Sequence, residues 1–291
     1  MCGKPGKGVL HDDDPHFSEL FEGLKNASAW RKDFFGTLRG VLHAAPPVFL
    51  IGAHMEELLF GSIRMKIPDA QFRVSTDSMV LADFCRIKHG SRVLDLGCGC
   101  GTLGLLLLGA DGTLQICGVE IQEPAARQAR ENAAENGFSD HMHIVCGDLR
   151  QAHADIAPGS FDCVLSNPPY YPPESGYLHT QDSLCAARSE LCCPFDALCA
   201  ATAQALRWGG RFFLVHKPER LVDLMTGLRA ARLEPKRIRF VRHRAESAVN
   251  LVLIESRLGG KPGLQYEPDL ILYTQSGELT AEGRRIYHLQ E

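Results

Sequence analysis

The stretch "VLSNPPYYPP", Val164–Pro173, sets a side-chain amide, two ring-locked residues and two phenol rings directly after an apolar run. Proline has no backbone N–H to give to a sheet ladder, so a strand must stop here. Asn167 offers a side-chain carbonyl and Pro168 a backbone carbonyl. The pair Pro168–Pro169 fixes φ and holds both acceptors in place, and Tyr170 supplies a flat face. Two acceptors and a ring suit a planar exocyclic amine, a weak nucleophile because its lone pair is delocalised. Hydrogen bonds from both of its N–H groups favour a more tetrahedral nitrogen that can attack an electrophile in line. Tyr171 is the less constrained of the two rings, and packing serves it equally well as a reading.

A second constellation lies upstream. "VLDLGCGCG" spaces glycines at Gly97, Gly99 and Gly101, a GxGxG pattern and not the dinucleotide GxGxxG. Glycines at such a turn let the backbone approach a ligand closely at positive φ. Asp95 would repel a pyrophosphate but suits a cationic ligand. Glu120, at the end of the next strand, can accept two hydrogen bonds from ribose hydroxyls. Asp148, in "CGDL", can accept from an adenine amino group, with Leu149 flanking the ring.

This order of groups resembles the S-adenosylmethionine site of class I methyltransferases. The resemblance implies that Asp95, Gly97, Gly99 and Gly101 hold the methionine end, Glu120 the ribose and Asp148 the adenine. "NPPY" (Asn167, Pro168, Pro169, Tyr170) after the fourth strand resembles the amino-methyltransferases, which act on adenine N6, guanine N2 or glutamine amides. In that fold Asn167 stands beside both the cofactor's methyl and the acceptor, and transfer is a direct displacement without a covalent enzyme intermediate.

The elements that must position these groups alternate from Arg92 onward. "RVLDLG", "LQICGVEI", "MHIVCGD", "FDCVLSN" and "RFFLVHK" read as near-continuous apolar strands. "TLGLLLLGA", "QEPAARQARENAAENG", "PFDALCAATAQALRWGG" and "PERLVDLMTGLRAARLEP" read as helices between or after them, two with Pro124 or Pro218 near the first turn. Such a pattern implies a parallel sheet covered on both faces. "KRIRFVRHR" and "ESAVNLVLIES" have no helix between them and predict a hairpin, with one strand antiparallel. The expected fold is α/β, the Rossmann-like seven-stranded class I methyltransferase fold, mostly parallel with a final antiparallel hairpin. Residues 1–54 predict a separate extension, helical from Phe17 to Val41 and stopped at Pro46–Pro47. Residues 55–258 are the expected catalytic domain and 259–291 a C-terminal tail.

The flanks narrow the acceptor. "EELLFGSIRMKIPDAQFRVSTDSMVLADF", Glu56–Phe84, "AARSE", and the segment from Leu214 to Tyr273 resemble bacterial tRNA adenine-N6 methyltransferases, which modify valine tRNA at the adenine 3′ of the anticodon. The resemblance implies tRNA as partner, Thr76 and Asp77 of "VSTDS" as cofactor contacts, and Arg188 as a phosphate or loop contact with Glu190 as its pair. It begins near Met55, so residues 1–54 are an addition, or Met55 is the start. Residues 207–244 carry 11 Lys and Arg against Glu219, Asp223 and Glu234, within a chain of net charge −4. A basic region on an otherwise acidic chain suits phosphate contact, and a solvated helix and strand face is the plain alternative.

Eleven cysteines without paired CxxC spacing read as reduced thiols of a cytoplasmic protein, with no metal site. No apolar run is long enough to cross a bilayer, so no membrane is expected. Competing readings are a protein glutamine N5-methyltransferase, an rRNA guanine-N2 methyltransferase and a non-catalytic RNA-binding module. The intact glycine loop, Glu120, Asp148 and NPPY argue against the last.

Overall fold

Successive side chains of a strand point to opposite faces, and the central strands here are apolar at almost every position. Val93, Leu165, Phe213, Val215, Leu251 and Leu253 enter one core cluster. Their neighbours Leu94, Val164, Phe212, Leu214, Val252 and Ile254 enter the other. Period two sorts the residues, so the sheet is buried on both faces.

The computed structural model describes residues 48–51, 54–59, 63–67, 75–151, 155–168 and 194–287. These lie in one unit, Pro46–Glu291. The helix expected at 17–41 falls outside the described residues. Strands β1 (Val48–Ile51), β2 (His54–Leu59) and β3 (Ile63–Ile67) form an antiparallel sheet. β1 and β2 pair across the 54/55 boundary expected from the sequence.

The main sheet begins after helix α1 (Thr76–Phe84). Then come β4 (Arg92–Leu96), α2 (Thr102–Ala110), β5 (Gln115–Glu120), α3 (Glu123–Glu135), β6 (Met142–Cys146) and β7 (Phe161–Ser166). The remainder is α4 (Phe195–Ala205), β8 (Leu206–His216), α5 (Leu221–Ala230), β9 (Leu233–Arg242), β10 (Val249–Leu258), β11 (Gln265–Tyr266), β12 (Leu270–Ile271) and α6 (Ala281–Ile286). The order is β11-β9-β10-β8-β7-β4-β5-β6, with β12 also on β9. β10 is antiparallel to both β8 and β9, as the missing helix between the last two long strands required. The apolar residues of α1, α2 and α3 cover one face and those of α4 and α5 the other.

Two sequence expectations need correction. "LRWGG" was expected to close a helix. It is instead the start of β8, because Gly209 at φ +77° absorbs a bulge between the pairs Phe161–Leu206 and Cys163–Arg211. Residues 259–287 of the expected tail are built into the sheet: β11 and β12 pair parallel to β9, and α6 buries Ile286 in the first cluster. Strands of two residues carry no periodicity from which a reader of the sequence could find them.

Candidate active site

β4 and β7 are parallel neighbours, yet the chain leaves β4 toward β5 on one side and β7 toward β8 on the other. The loops at their carboxyl ends therefore diverge and open a crevice, the place where open α/β sheets bind ligands. Leu96, Gly97, Glu120, Asp148, Leu149, Asn167 and Pro168 line a cleft of about 130 Å³ there.

The glycine loop closes one wall. Gly97, Gly99 and Gly101 have φ of +78°, +55° and +88°, left-handed values that favour glycine. The Gly97 and Cys98 N–H groups both donate to Val119 O, at 2.9 and 3.0 Å. Gly99 N–H donates to Glu120 Oε2 at 3.0 Å, and Gln122 N–H donates to Oε1 at 2.8 Å. Glu120 thus holds the loop as well as facing the cleft. Burial raises its pKa, and the backbone donors pull it partly back. The loop lies close over β5 because residue 118 has no side chain: a Cβ there would sit 2.7 Å from Cys98 Sγ.

Asp95 is fully buried, and neither carboxylate oxygen has a hydrogen-bond partner. Burial first, and the nearby Glu120 charge second, push its pKa up to about 7. A buried, unsatisfied carboxylate is costly by itself. Beside a glycine cradle it suits a ligand that brings positive charge, and these residues fit S-adenosylmethionine on that ground.

Behind the loop, Asn132 on α3 and Asn136 at its C-terminal cap act as a strand edge. Asn132 Oδ1 accepts from Lys66 N–H at 2.9 Å, and its Nδ2 donates to Lys66 O and Cys100 O, both at 3.0 Å. Asn136 Oδ1 accepts from Arg64 N–H at 2.9 Å, and its Nδ2 donates to Arg64 O at 2.6 Å. Four residues apart on a helix, the two amides share a face and fasten β3 to the glycine loop.

The other wall ends in Ser166, whose hydroxyl donates to Leu96 O at 2.8 Å and ties β7 to β4. Asn167 follows. Its Nδ2 donates to Ser78 Oγ at 3.1 Å, which fixes the amide plane and so the direction of Oδ1. Ser78 is buried in the first turn of α1, where its N–H donates to the cap Ser75 Oγ at 3.3 Å. Sequence reasoning singled out Thr76 and Asp77 in "VSTDS" and missed Ser78; a partner 89 positions away leaves no local signal.

Thr76 and Asp77 lie in a different cleft, with Lys217, His243 and Asn250, and Thr76 shares a hydrogen bond with the Tyr287 hydroxyl at 2.8 Å. Asp148 lines the crevice, and its carboxylate also accepts from Arg150 Nε, at 2.9 Å to each oxygen. Pro169, Tyr170, Tyr171, Arg188 and Glu190 lie outside the described residues.

The basic window is mostly spent on the fold. Arg207 pairs with Asp162, Arg220 with Asp223, Arg229 with Glu234, Arg239 with Glu282 and Arg242 with Asp269. Arg237 is buried against Glu255 and Glu267, donates to Phe84 O at 2.7 Å, and lies 3.8 Å over the Phe84 ring. A positive run in the sequence is here largely a set of ion pairs, those of β9 running to acids later in the chain.

The described cysteines are free, and burial raises the thiols of Cys100 to about 12 and of Cys117 and Cys163 to about 11. Among the described residues, no helix is long and apolar enough to cross a membrane, and no group of His, Cys, Asp or Glu is arranged to hold a metal.

Comparison with known proteins agrees with this geometry. The sequence profile of the methyltransferase small domain matches residues 70–225. The tRNA1(Val) (adenine(37)-N6)-methyltransferase of Dickeya chrysanthemi (strain Ech1591) is 32% identical over 191 residues, 65% of this chain and 74% of that protein. The protein of the same name from Yersinia pestis (strain Pestoides F) is 36% identical over 102 residues, 35% of this chain and 41% of that one. The crystal structure of a predicted O-methyltransferase from Agrobacterium tumefaciens superposes with a TM-score of 0.61 at 18% identity, covering 73% of this chain and 95% of that one, and shows the same fold. With its glycine cradle, buried carboxylate and crevice at the β4–β7 divide, the chain belongs to the methyltransferase small domain family and is an S-adenosylmethionine-dependent methyltransferase.

Proposed function

We propose that the protein methylates N6 of an adenine in tRNA, the adenine 3′ of the anticodon of valine tRNA. The observation that carries this reading is the 32% identity, over 74% of its length, to a relative of that named activity. The amide of Asn167, held by Ser78 at the mouth of the cofactor cleft, supports it chemically.

S-adenosylmethionine supplies an electrophilic methyl group on a sulfonium. The protein's task is to bring a poor nucleophile to it. Asn167 Oδ1 and the Pro168 carbonyl accept the two N–H groups of the adenine amine and turn its lone pair toward the methyl. No general base is needed beforehand, because the proton leaves after transfer. Asp95 in its ionised form balances the cationic donor, and Glu120 meets the ribose while keeping Gly99 in place. Tyr170 is assigned the base face. An anticodon-loop adenine must be unstacked first, at a cost of a few kcal/mol, which a stacking ring offsets.

Mass spectrometry of nucleosides from purified valine tRNA, with and without the gene, tests the reading. N6-methyladenosine absent from the deletion strain and restored by the intact gene is the expected result. A deletion that removes N2-methylguanosine from RNA, or a methylated glutamine from protein, and leaves N6-methyladenosine unchanged refutes it.

A further inference from the structure

Helix α3 buries a face of small residues, Ala125, Ala126, Ala129 and Ala133, in the core cluster that also holds Cys98 and Cys100 of the glycine loop. Small side chains allow close approach: a Cβ at position 101 would meet Ala129 Cβ at 3.4 Å. Two amides interrupt this face, Gln128 and Asn132, both buried and one turn apart. A buried amide is costly unless its groups are paired, and an apolar residue would cover the loop without that cost. The amide of Asn132 is used to capacity. Its Oδ1 accepts from Lys66 N–H and, at 3.4 Å, from Gln128 Nε2. Its two Nδ2 protons go to Lys66 O and Cys100 O. Both donors and both lone pairs are engaged, which is all that such a side chain offers.

Asn136 makes the same pair of bonds one residue pair along β3, to the N–H and carbonyl of Arg64. Its other Nδ2 proton goes to Asn132 O, at 2.7 Å, and not to the loop. The bond to Cys100 O is therefore what sets Asn132 apart. Cys100 stands between Gly99, whose N–H is held by Glu120, and Gly101, whose N–H closes the turn onto Cys98 O at 2.9 Å and which caps α2. The loop is pinned at consecutive residues from two elements, by a carboxylate at the end of β5 and by an amide on α3. Glycines have the most conformational freedom to lose, so the shape of this turn depends on such pins. Glu120 faces the cleft, and a ligand there competes for its oxygens. Asn132 is fully buried and does not line the cleft, so its hold on the loop persists whatever binds.

We infer that Asn132 is a positioning residue for the methyl donor. By tying Cys100 O to the Lys66 backbone of β3 it keeps the turn from Gly97 to Gly101 in its donor-binding shape, and β3 contributes to donor affinity from behind the loop. The inference concerns the donor alone and holds for any methyl acceptor, so it does not stand or fall with the tRNA reading.

The full chain and its Asn132→Ala, Asn132→Asp and Asn136→Ala variants are titrated with S-adenosylmethionine by calorimetry, at a temperature below the onset of unfolding in their thermal melts. Amide hydrogen exchange of the loop is followed in the same proteins without ligand. Asn132→Ala is expected to bind the donor about tenfold more weakly, the effect of one buried hydrogen bond lost. Its Gly99 N–H should exchange faster, although the Glu120 partner of that group is untouched. Asn132→Asp keeps the oxygen that Lys66 N–H needs and loses both donors, and its affinity should fall as far. Being nearly isosteric, it carries the test if the alanine variant does not fold. Asn136→Ala removes as many bonds to β3 and should lower Tm while donor affinity stays within twofold. That split separates a hold on the loop from looser docking of β3. Donor affinity of the Asn132 variants within twofold of the unsubstituted protein, or an equal loss in Asn136→Ala, overturns the inference.

Discussion

The donor half of the sheet and the acceptor half are built on different principles. From β4 to β6 the chain runs strand, helix, strand, and its functional groups sit at the ends of consecutive strands. Two contacts that shape the glycine loop, Gly99 to Glu120 and Cys100 to Asn132, span 21 and 32 residues. On the other side, α1 is fixed by residues much later in the chain. Arg285 pairs with Asp83, Tyr287 with Thr76, Arg86 with Glu267, and Arg237 with the Phe84 carbonyl. A binding site for a common donor can be specified locally, while a surface for one acceptor is assembled by long-range ion pairs.

The largest expected effect lies at the junction of the halves. Asn167→Ala should lower methyl transfer by about a thousandfold, in the range for losing an oriented catalytic hydrogen bond. Its cofactor affinity should stay near that of the unsubstituted protein, and single-turnover assays with calorimetry would separate the two. A variant that keeps normal turnover removes Asn167 from the mechanism.

Next comes the acceptor half's own anchor. Arg237→Ala removes the buried guanidinium that Glu255 and Glu267 share and leaves Glu267 to the largely exposed Arg86, at a cost of about 3–5 kcal/mol. Thermal unfolding should show it as a drop in Tm far larger than that of Arg285→Ala, whose side chain is 58% exposed. Equal drops would mean that the buried hub is not what holds α1.

The donor half is expected to respond to pH. Asp95 has a folded pKa raised to about 7 by burial and by Glu120, so the cofactor-free protein carries an extra proton there below that value. The stability associated with the protonated form is full at low pH and is lost as pH rises from the unfolded carboxylate's range through about 7. A cationic ligand selects the ionised form, so binding releases that proton. Affinity should therefore rise about tenfold from pH 6 to pH 8 and level off above, a change of one proton. Titration calorimetry in two buffers reads the released proton directly, and Asp95→Asn should abolish the pH dependence.

The smallest effect tests the link between the halves. Ser78→Ala removes the acceptor that fixes the Asn167 amide, and kcat should fall about tenfold with cofactor affinity unchanged. Ser78→Thr keeps a hydroxyl and should recover part of the loss. A merely structural role would instead lower Tm and spare kcat.

Legibility in the sequence follows the same division. Strands β4 to β7, the helices after them and the glycine loop were readable because apolar runs, Gly and Pro mark them locally. Asp95 stood out because a carboxylate so close before a glycine turn is conspicuous in the sequence, though its burial and its lack of hydrogen-bond partners were not readable there. The start of β8 was not, because Gly209–Gly210 look like a helix stop unless the bulge opposite Asp162 is known. Ser78 and the pairings of Arg237 were hidden for a different reason: their partners are distant in the chain, and charge counts do not say which acid a guanidinium will find. The same count overstated the free basic surface.

The hydroxyl contact between Thr76 and Tyr287 joins residues 211 positions apart. During synthesis the strands from Arg92 to Cys146 can pair as they emerge, since each finds its neighbour nearby. α1 cannot be clasped at its first turn until Tyr287 has left the ribosome. A nascent chain can therefore pair the strands that carry the glycine loop well before the turn of α1 that meets Asn167 through Ser78 is clasped from the far end of the chain.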